Sequence, residues 1–129
     1  RNKISNVLDL VELPINVLSR KPKELSGGQL QRINIARSLL LKPKILLCDE
    51  IVSSLDISIQ AQVLNTVNMV KDELGMSIIF VSHDISVTKY MSDEILVLKD
   101  GMIYDQFNTI NNDYSGLKPY TTELTTQPF

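Results

Sequence analysis

Leu25-Ser26-Gly27-Gly28-Gln29 stands directly before a helical pattern of apolar residues, and its reading decides the fold around it. Backbone N–H groups at a helix start lack intrahelical acceptors and form an anion site, and glycine lets a phosphate approach closely. The Ser26 hydroxyl adds a donor and can also cap the helix. An ordinary capped helix preceded by two flexible residues would look the same locally. The residues on either side separate these readings.

Downstream, Leu30, Ile33, Ile35, Ala36, Leu39 and Leu40 are spaced mostly by three and four, which predicts a helix over 29–41. Lys42-Pro43 ends it, because proline disfavours helix for the residue before it. Ile45-Leu46-Leu47-Cys48 is a short continuous apolar run, expected to be a buried parallel strand. Asp49 and Glu50 lie where that strand leaves the sheet, the end at which open α/β sheets bind ligands. One acid there can hold Mg²⁺ and the other can orient or deprotonate an attacking water; two solvated loop acids are the plainer reading. Ser53-Ser54-Leu55-Asp56 follows, and Asp56 or a preceding serine can cap the next helix. In that helix Ile57, Ala61, Leu64, Val67, Val70 and Leu74 form the expected core-facing stripe, with Gly75 as its stop. Lys71, Asp72 and Glu73 read as a solvated face. Ile78-Ile79-Phe80-Val81 is a second buried strand, and it leads to Ser82 and His83, the one histidine of the chain. A lone histidine is more often structural, but this one also sits at a strand's C-terminal end. Upstream, Ile4, Val7, Leu8, Val11 and Leu13 repeat at helical spacing.

This order of pieces resembles the C-terminal half of an ATP-binding-cassette nucleotide-binding domain. Leu25 to Gln29 matches the family's signature motif. Ile45 to Glu50 matches its Walker B strand with the catalytic glutamate, Ser53 to Asp56 its D-loop, and His83 its switch histidine. The runs Lys23 to Arg32, Ser54 to Leu64 and Lys118-Pro119-Tyr120-Thr121 are similar to ATPases of the peptide and nickel importers. Ile51-Val52 depart from the proline and threonine or serine usual after the glutamate, and valine at the second place leans toward nickel-type subunits. Some members carry a cysteine-rich C-terminal segment; with Cys48 as its one cysteine this chain cannot build such a cluster.

The resemblance implies an α/β fold: a partial P-loop NTPase with a mostly parallel sheet and flanking helices. A phosphate-cradling Walker A loop needs two glycines five apart with lysine after the second. No pair among Gly27, Gly28, Gly75, Gly101 and Gly116 qualifies, so the Walker A half is missing from these residues. The chain therefore reads as a fragment, inactive by itself, of a parent ATPase. Residues 1–107 read as the C-terminal part of the ATPase domain. Within it, 1–41 end the helical subdomain with the signature, and 42–107 carry Walker B, D-loop and switch histidine. Residues 108–129 form a polar tail of loop and short helix, disordered at its final residues. Lys99-Asp100-Gly101 predicts a hairpin turn between strands at 95–98 and 102–104. The resemblance places the absent Walker A strand between the 78–81 and 95–98 strands, which would leave a gap there or pair directly.

The implied chemistry uses ATP and Mg²⁺. Two such subunits clamp two nucleotides head-to-tail. Ser26, Gly27, Gly28 and Gln29 would act in trans on the partner's nucleotide, and Asp56 would link the sites. Asp49 would hold Mg²⁺, Glu50 would act on the attacking water and His83 would contact the γ-phosphate. Partners would be a second ATPase subunit, transmembrane permease subunits and, indirectly, a substrate-binding protein. The work would be uptake of peptides, nickel or a metal chelate, at the cytoplasmic face of the cell membrane. Net charge of −2 argues against general nucleic-acid binding, and no apolar run has membrane-spanning length. Three other readings stay open: a non-transport ATPase of the same superfamily in repair or translation, an exporter whose cassette is fused to spanning helices, and a truncated, non-catalytic binding piece.

Overall fold

The structure, a computed structural model, describes residues 2–110 and 116–126. It divides into two compact units, Arg1–Ile79 and Phe80–Phe129.

The first unit opens with helix α1, Asn2–Leu10, followed by 3₁₀ turns at Ile15–Ser19 and Pro22–Glu24. Glu12 closes α1 in the left-handed region, at φ 55°. Helix α2 spans Gly27–Leu39 with Ser26 as its N-cap. The glycines thus form the first turn of the helix rather than a flexible lead-in. Strand β1, Ile45–Asp49, and the start of strand β2, Ser77–Val81, flank helix α3, Ile57–Leu74. β1 and β2 are neighbours in one sheet and parallel, joined by α3 as the crossover. Gly75 ends α3 at φ 58°, donating its N–H to the Lys71 carbonyl as a left-handed cap does.

α3 packs on α2, and α2 on α1. Val63, Val67 and Val70 are fully buried on α3, against a core that includes Val11, Ile35 and Leu39. Each such valine contributes about 1.5–3 kcal/mol by leaving water. This corrects the expected stripe. Leu64, Val67 and Val70 are inside, but Ile57 is 85% and Leu74 45% exposed, and Ala61 is exposed. Spacing sets a helix's period; its rotation is set by what packs on it. Here the start of α2 seats on Ile59 and Val63, which turns that line inward. β1 is corrected too: Leu46 and Cys48 are buried while Ile45 and Leu47 are 58% and 65% exposed, so one face is covered rather than two.

The second unit contains helix α4, Ile85–Met91, strands β3, Glu94–Lys99, and β4, Met102–Asn108, and helix α5, Pro119–Thr126. β3 and β4 form the expected hairpin. Asp100 and Gly101 turn it at φ 52° and 76°, the double positive φ of a type I′ turn. Ile95, Val97 and Phe107 form its core, with Leu117, Tyr120 and Leu124 packed against them. A register shift beside Val97 and Leu98 sets Tyr104 apart from the ladder. Its ring meets Tyr120 edge-on at 5.7 Å. β2 and β3 belong to different sheets, so of the two arrangements expected for them direct pairing is not formed. The expected disorder of the final residues concerns 127–129, which lie outside the described residues.

Asp105 fastens the α5 segment to the hairpin. Its carboxylate accepts the Lys118 N–H at 3.0 Å and the Gln106 N–H at 3.0 Å. The Lys118 amide, first, and then the Gln106 amide hold its pKa below the usual carboxylate value. A carboxyl depressed by folding stabilises above its unfolded pKa of roughly 3.9, and that stability is lost as pH falls through the folded value. The Lys118 amide should therefore stay protected from hydrogen exchange down to about pH 4 and lose protection only below it. Asp105→Ala should expose it at neutral pH; unchanged protection would show that packing alone holds α5.

Candidate functional site

The start of α2 is a built donor site. Ser26 Oγ accepts the Gln29 N–H at 3.2 Å, and Gln29 Oε1 accepts the Ser26 N–H at 3.1 Å. This reciprocal capping box satisfies both ends of the first turn. The Gly27 and Gly28 N–H groups, in the first turn, have no intrahelical acceptor. A hydroxyl that accepts one bond can still donate its proton, so Ser26 can offer a further donor beside them. Ser26 and Gly27 are exposed, Gln29 is half-buried, and Gly28 is buried. An anion is the ligand such a set of donors suits.

Asp49 is the last residue of β1 and is exposed, and Glu50 follows it, half-buried. Glu50 has φ 50°, an uncommon conformation for a residue with a side chain. Its carbonyl accepts both the Ser53 N–H, at 3.3 Å, and the Ser53 hydroxyl, at 3.0 Å. Ser53 therefore braces the turn that aims Glu50. No cluster of three or more His, Cys, Asp or Glu is found among the described residues. Mg²⁺ in phosphate sites keeps several waters and takes one or two carboxylates plus substrate phosphates. Asp49, exposed at the end of β1, is the carboxylate that the sequence expectation assigns to Mg²⁺.

Asp56 occupies the N-cap position of α3, but its side chain makes no capping bond. Of the expected caps, Asp56 or a preceding serine, Asp56 takes the position but without a side-chain bond; Gln60 Nε2 holds the loop by donating to the Leu55 carbonyl at 2.9 Å. The Asp56 carboxylate is exposed. His83 belongs to the second unit, in the loop after β2, and is also exposed. That loop is fixed by Asp84, whose Oδ1 accepts the Ser86 and Val87 N–H groups at 2.9 and 3.2 Å. The structure thus brings Ser26 to Gln29 and the Asp56 loop together through α2 on α3. Asp49 and Glu50 lie in the same unit.

Cys48 is 2% exposed, and burial pushes its thiol up to about 11. It is a packing residue, since the thiolate is the reactive form.

Three features could not be found by motif. Glu12 links three helices: its carbonyl accepts from Arg32 Nη1 at 3.4 Å and its Oε2 from Thr66 Oγ1 at 3.3 Å. Ser53 braces Glu50. The third is steric: a Cβ on Gly28 would fall 2.5 Å from Ile59 Cγ2, and one on Gly27 2.8 Å from Leu55 Cδ2. The sequence holds no signal for the first two beyond residue type; a helical glycine pair hints at the third.

The sequence pattern of a family described as ABC transporter matches residues 1–53. The oligopeptide transport ATP-binding protein OppF of Salmonella typhimurium is 44% identical over 124 residues, 96% of this chain and 37% of that protein. AmiF of Streptococcus pneumoniae, also named an oligopeptide transport ATP-binding protein, is 40% identical over 96% of this chain and 40% of its own length. Among solved structures, the dimeric ATP-binding cassette MJ0796 in a post-hydrolysis state with ADP and Pi superposes with a TM-score of 0.70. It is 31% identical and covers 84% of this chain and 46% of that one. The chain therefore spans less than half the length of these relatives.

Proposed function

We propose, for a chain that belongs to the ATP-binding-cassette family, that it supplies the signature, Walker B, D-loop and switch-histidine part of an ATPase subunit that energises peptide import. The observation that carries the reading is the start of α2. There a capping box braces a first turn in which the Gly27 and Gly28 N–H groups have no intrahelical acceptor, beside the Ser26 hydroxyl. The peptide as cargo is supported by the relatives named for oligopeptide transport. None of those relatives is named for nickel.

In this reading Ser26, Gly27, Gly28 and Gln29 bind the terminal phosphate of a nucleotide held by a second, head-to-tail subunit. The dimeric state of the solved cassette supports that pairing. Glu50 orients the attacking water and accepts its proton, from a turn braced by Ser53. His83 donates to the γ-phosphate oxygens, and Asp56 meets the opposite subunit. Asp49 would hold Mg²⁺, which neutralises phosphate charge when bound. Among the described residues no helix is long and apolar enough to cross a membrane. Contact with the membrane would come through separate permease subunits, at the cytoplasmic face.

The loop that grips the phosphates is absent from these 129 residues. The chain alone is therefore expected to show no stoichiometric ATP binding at micromolar concentration and no turnover. The full-length subunit, joined to its permease in vesicles, should hydrolyse ATP faster when a peptide, and not nickel, is supplied on the opposite side. Turnover by the isolated chain would overturn the division of labour, and stimulation by nickel alone would overturn the cargo.

A further inference from the structure

Gly27 and Gly28 both lie in the helix α2, and neither has a positive φ. Backbone freedom therefore does not explain why they are glycine; space does. Two demands could require that space: a phosphate approaching from outside, or a neighbour already inside. At Gly28 the direction a side chain would take is filled. A Cβ there would lie 2.5 Å from Ile59 Cγ2 and 3.9 Å from Val63 Cγ2. Carbon atoms in contact sit roughly 3.5–4.0 Å apart. Ile59 is β-branched and on a helix, so its Cγ2 has one strongly preferred position and cannot swing away. At Gly27 the neighbour is Leu55 Cδ2 at 2.8 Å, the far end of a mobile side chain. Leu55 and Ile59 flank Asp56 on either side, and Gln60 ties the Leu55 carbonyl to the first turn of α3.

We propose that Leu55 and Ile59 are positioning residues for the signature motif: they form a seat on which Gly27 and Gly28 rest, and the seat sets where the open N–H groups of α2 stand. The proposal rests on the reading that these groups serve a nucleotide phosphate. The seat also joins the signature and the D-loop of one chain into a single packed block, so whatever displaces Asp56 displaces the phosphate donors with it. A methyl at position 28 lifts the helix start by a distance of the order of an ångström, and misplacement of that size costs about a hundredfold in rate.

The test is a set of size exchanges in the full-length subunit. Gly28→Ala should lower kcat about a hundredfold while the equilibrium affinity for ATP, set by the subunit's own phosphate loop, stays unchanged. Ile59→Ala in the same chain makes room, and Gly28→Ala with Ile59→Ala should recover at least about tenfold of the lost turnover. Gly27→Ala with Leu55→Ala gives a second, milder pair. Its single glycine variant meets only a mobile side-chain end, so it serves if Gly28→Ala does not fold. If the phosphate is what demands glycine, neither partner substitution restores turnover, and the proposal fails. Full activity of Gly28→Ala overturns it equally. An unmodified full-length subunit that does not hydrolyse ATP overturns the functional reading and this proposal together, whereas an active one without rescue overturns this proposal alone.

Discussion

Glu50→Gln in the full-length subunit is expected to keep its affinity for ATP and to lose turnover by a factor of about 10²–10⁴, the range a positioned general base supplies. Glutamine has the size of glutamate and keeps a hydrogen-bonding carbonyl, so the braced turn at the end of β1 survives the exchange. What it cannot do is accept the water's proton. Ser53 bonds the backbone carbonyl of residue 50 and not its side chain, so the brace is indifferent to the substitution. Steady-state hydrolysis set beside equilibrium ATP binding separates the two effects. Near-normal turnover would mean that another group acts on the water.

Ser26→Arg is expected to stop hydrolysis to a similar extent by a different route. The hydroxyl accepts the Gln29 N–H, and losing such a cap costs about 0.5–2 kcal/mol of helix stability. Arginine adds a long cation where the phosphate should meet the exposed Ser26 and Gly27. Ser26→Ala loses the cap without adding bulk, so the difference between these two variants isolates the blocked gap. In a complex where the subunit pairs with a copy of itself, mixing Ser26→Arg subunits with Glu50→Gln subunits should return activity. One composite site of each mixed dimer then has both residues intact. No recovery on mixing would argue that Ser26 serves its own chain's nucleotide.

Most of the order of strands and helices was legible because its punctuation is chemical, although α4 was not foreseen. Pro43 follows α2, Gly75 closes α3 at a left-handed position, and Asp100-Gly101 turns the hairpin. The strand ends were legible as well: Asp49 closes β1, Glu50 follows it, and His83 lies in the loop after β2. Rotation and coverage were not. Ile57, Ala61 and Leu74 keep the period of α3 but lie outside, because the line through Ile59 and Val63 is the one α2 seats on. Ile45 and Leu47 look as apolar as Leu46 and Cys48, yet only the second pair is covered. Asp56 looks like a helix cap and makes no cap bond. The glycines of the signature looked like room for a ligand; what a missing side chain makes room for depends on a partner distant in sequence, which no local pattern names.

Glu12, Lys42 and Glu50 all adopt left-handed backbone, but in different settings. Glu12 and Lys42 follow α1 and α2, where a left-handed residue closes the last helical turn. Glu50 follows a strand, and there the conformation costs a residue with a Cβ about 1 kcal/mol or more that glycine would be spared. Backbone conformation considered alone would favour the exchange Glu50→Gly, at the loss of the carboxylate. If Glu50 is the base proposed above, thermal screening for sturdier variants would work against that role, and robustness and turnover would compete at this turn.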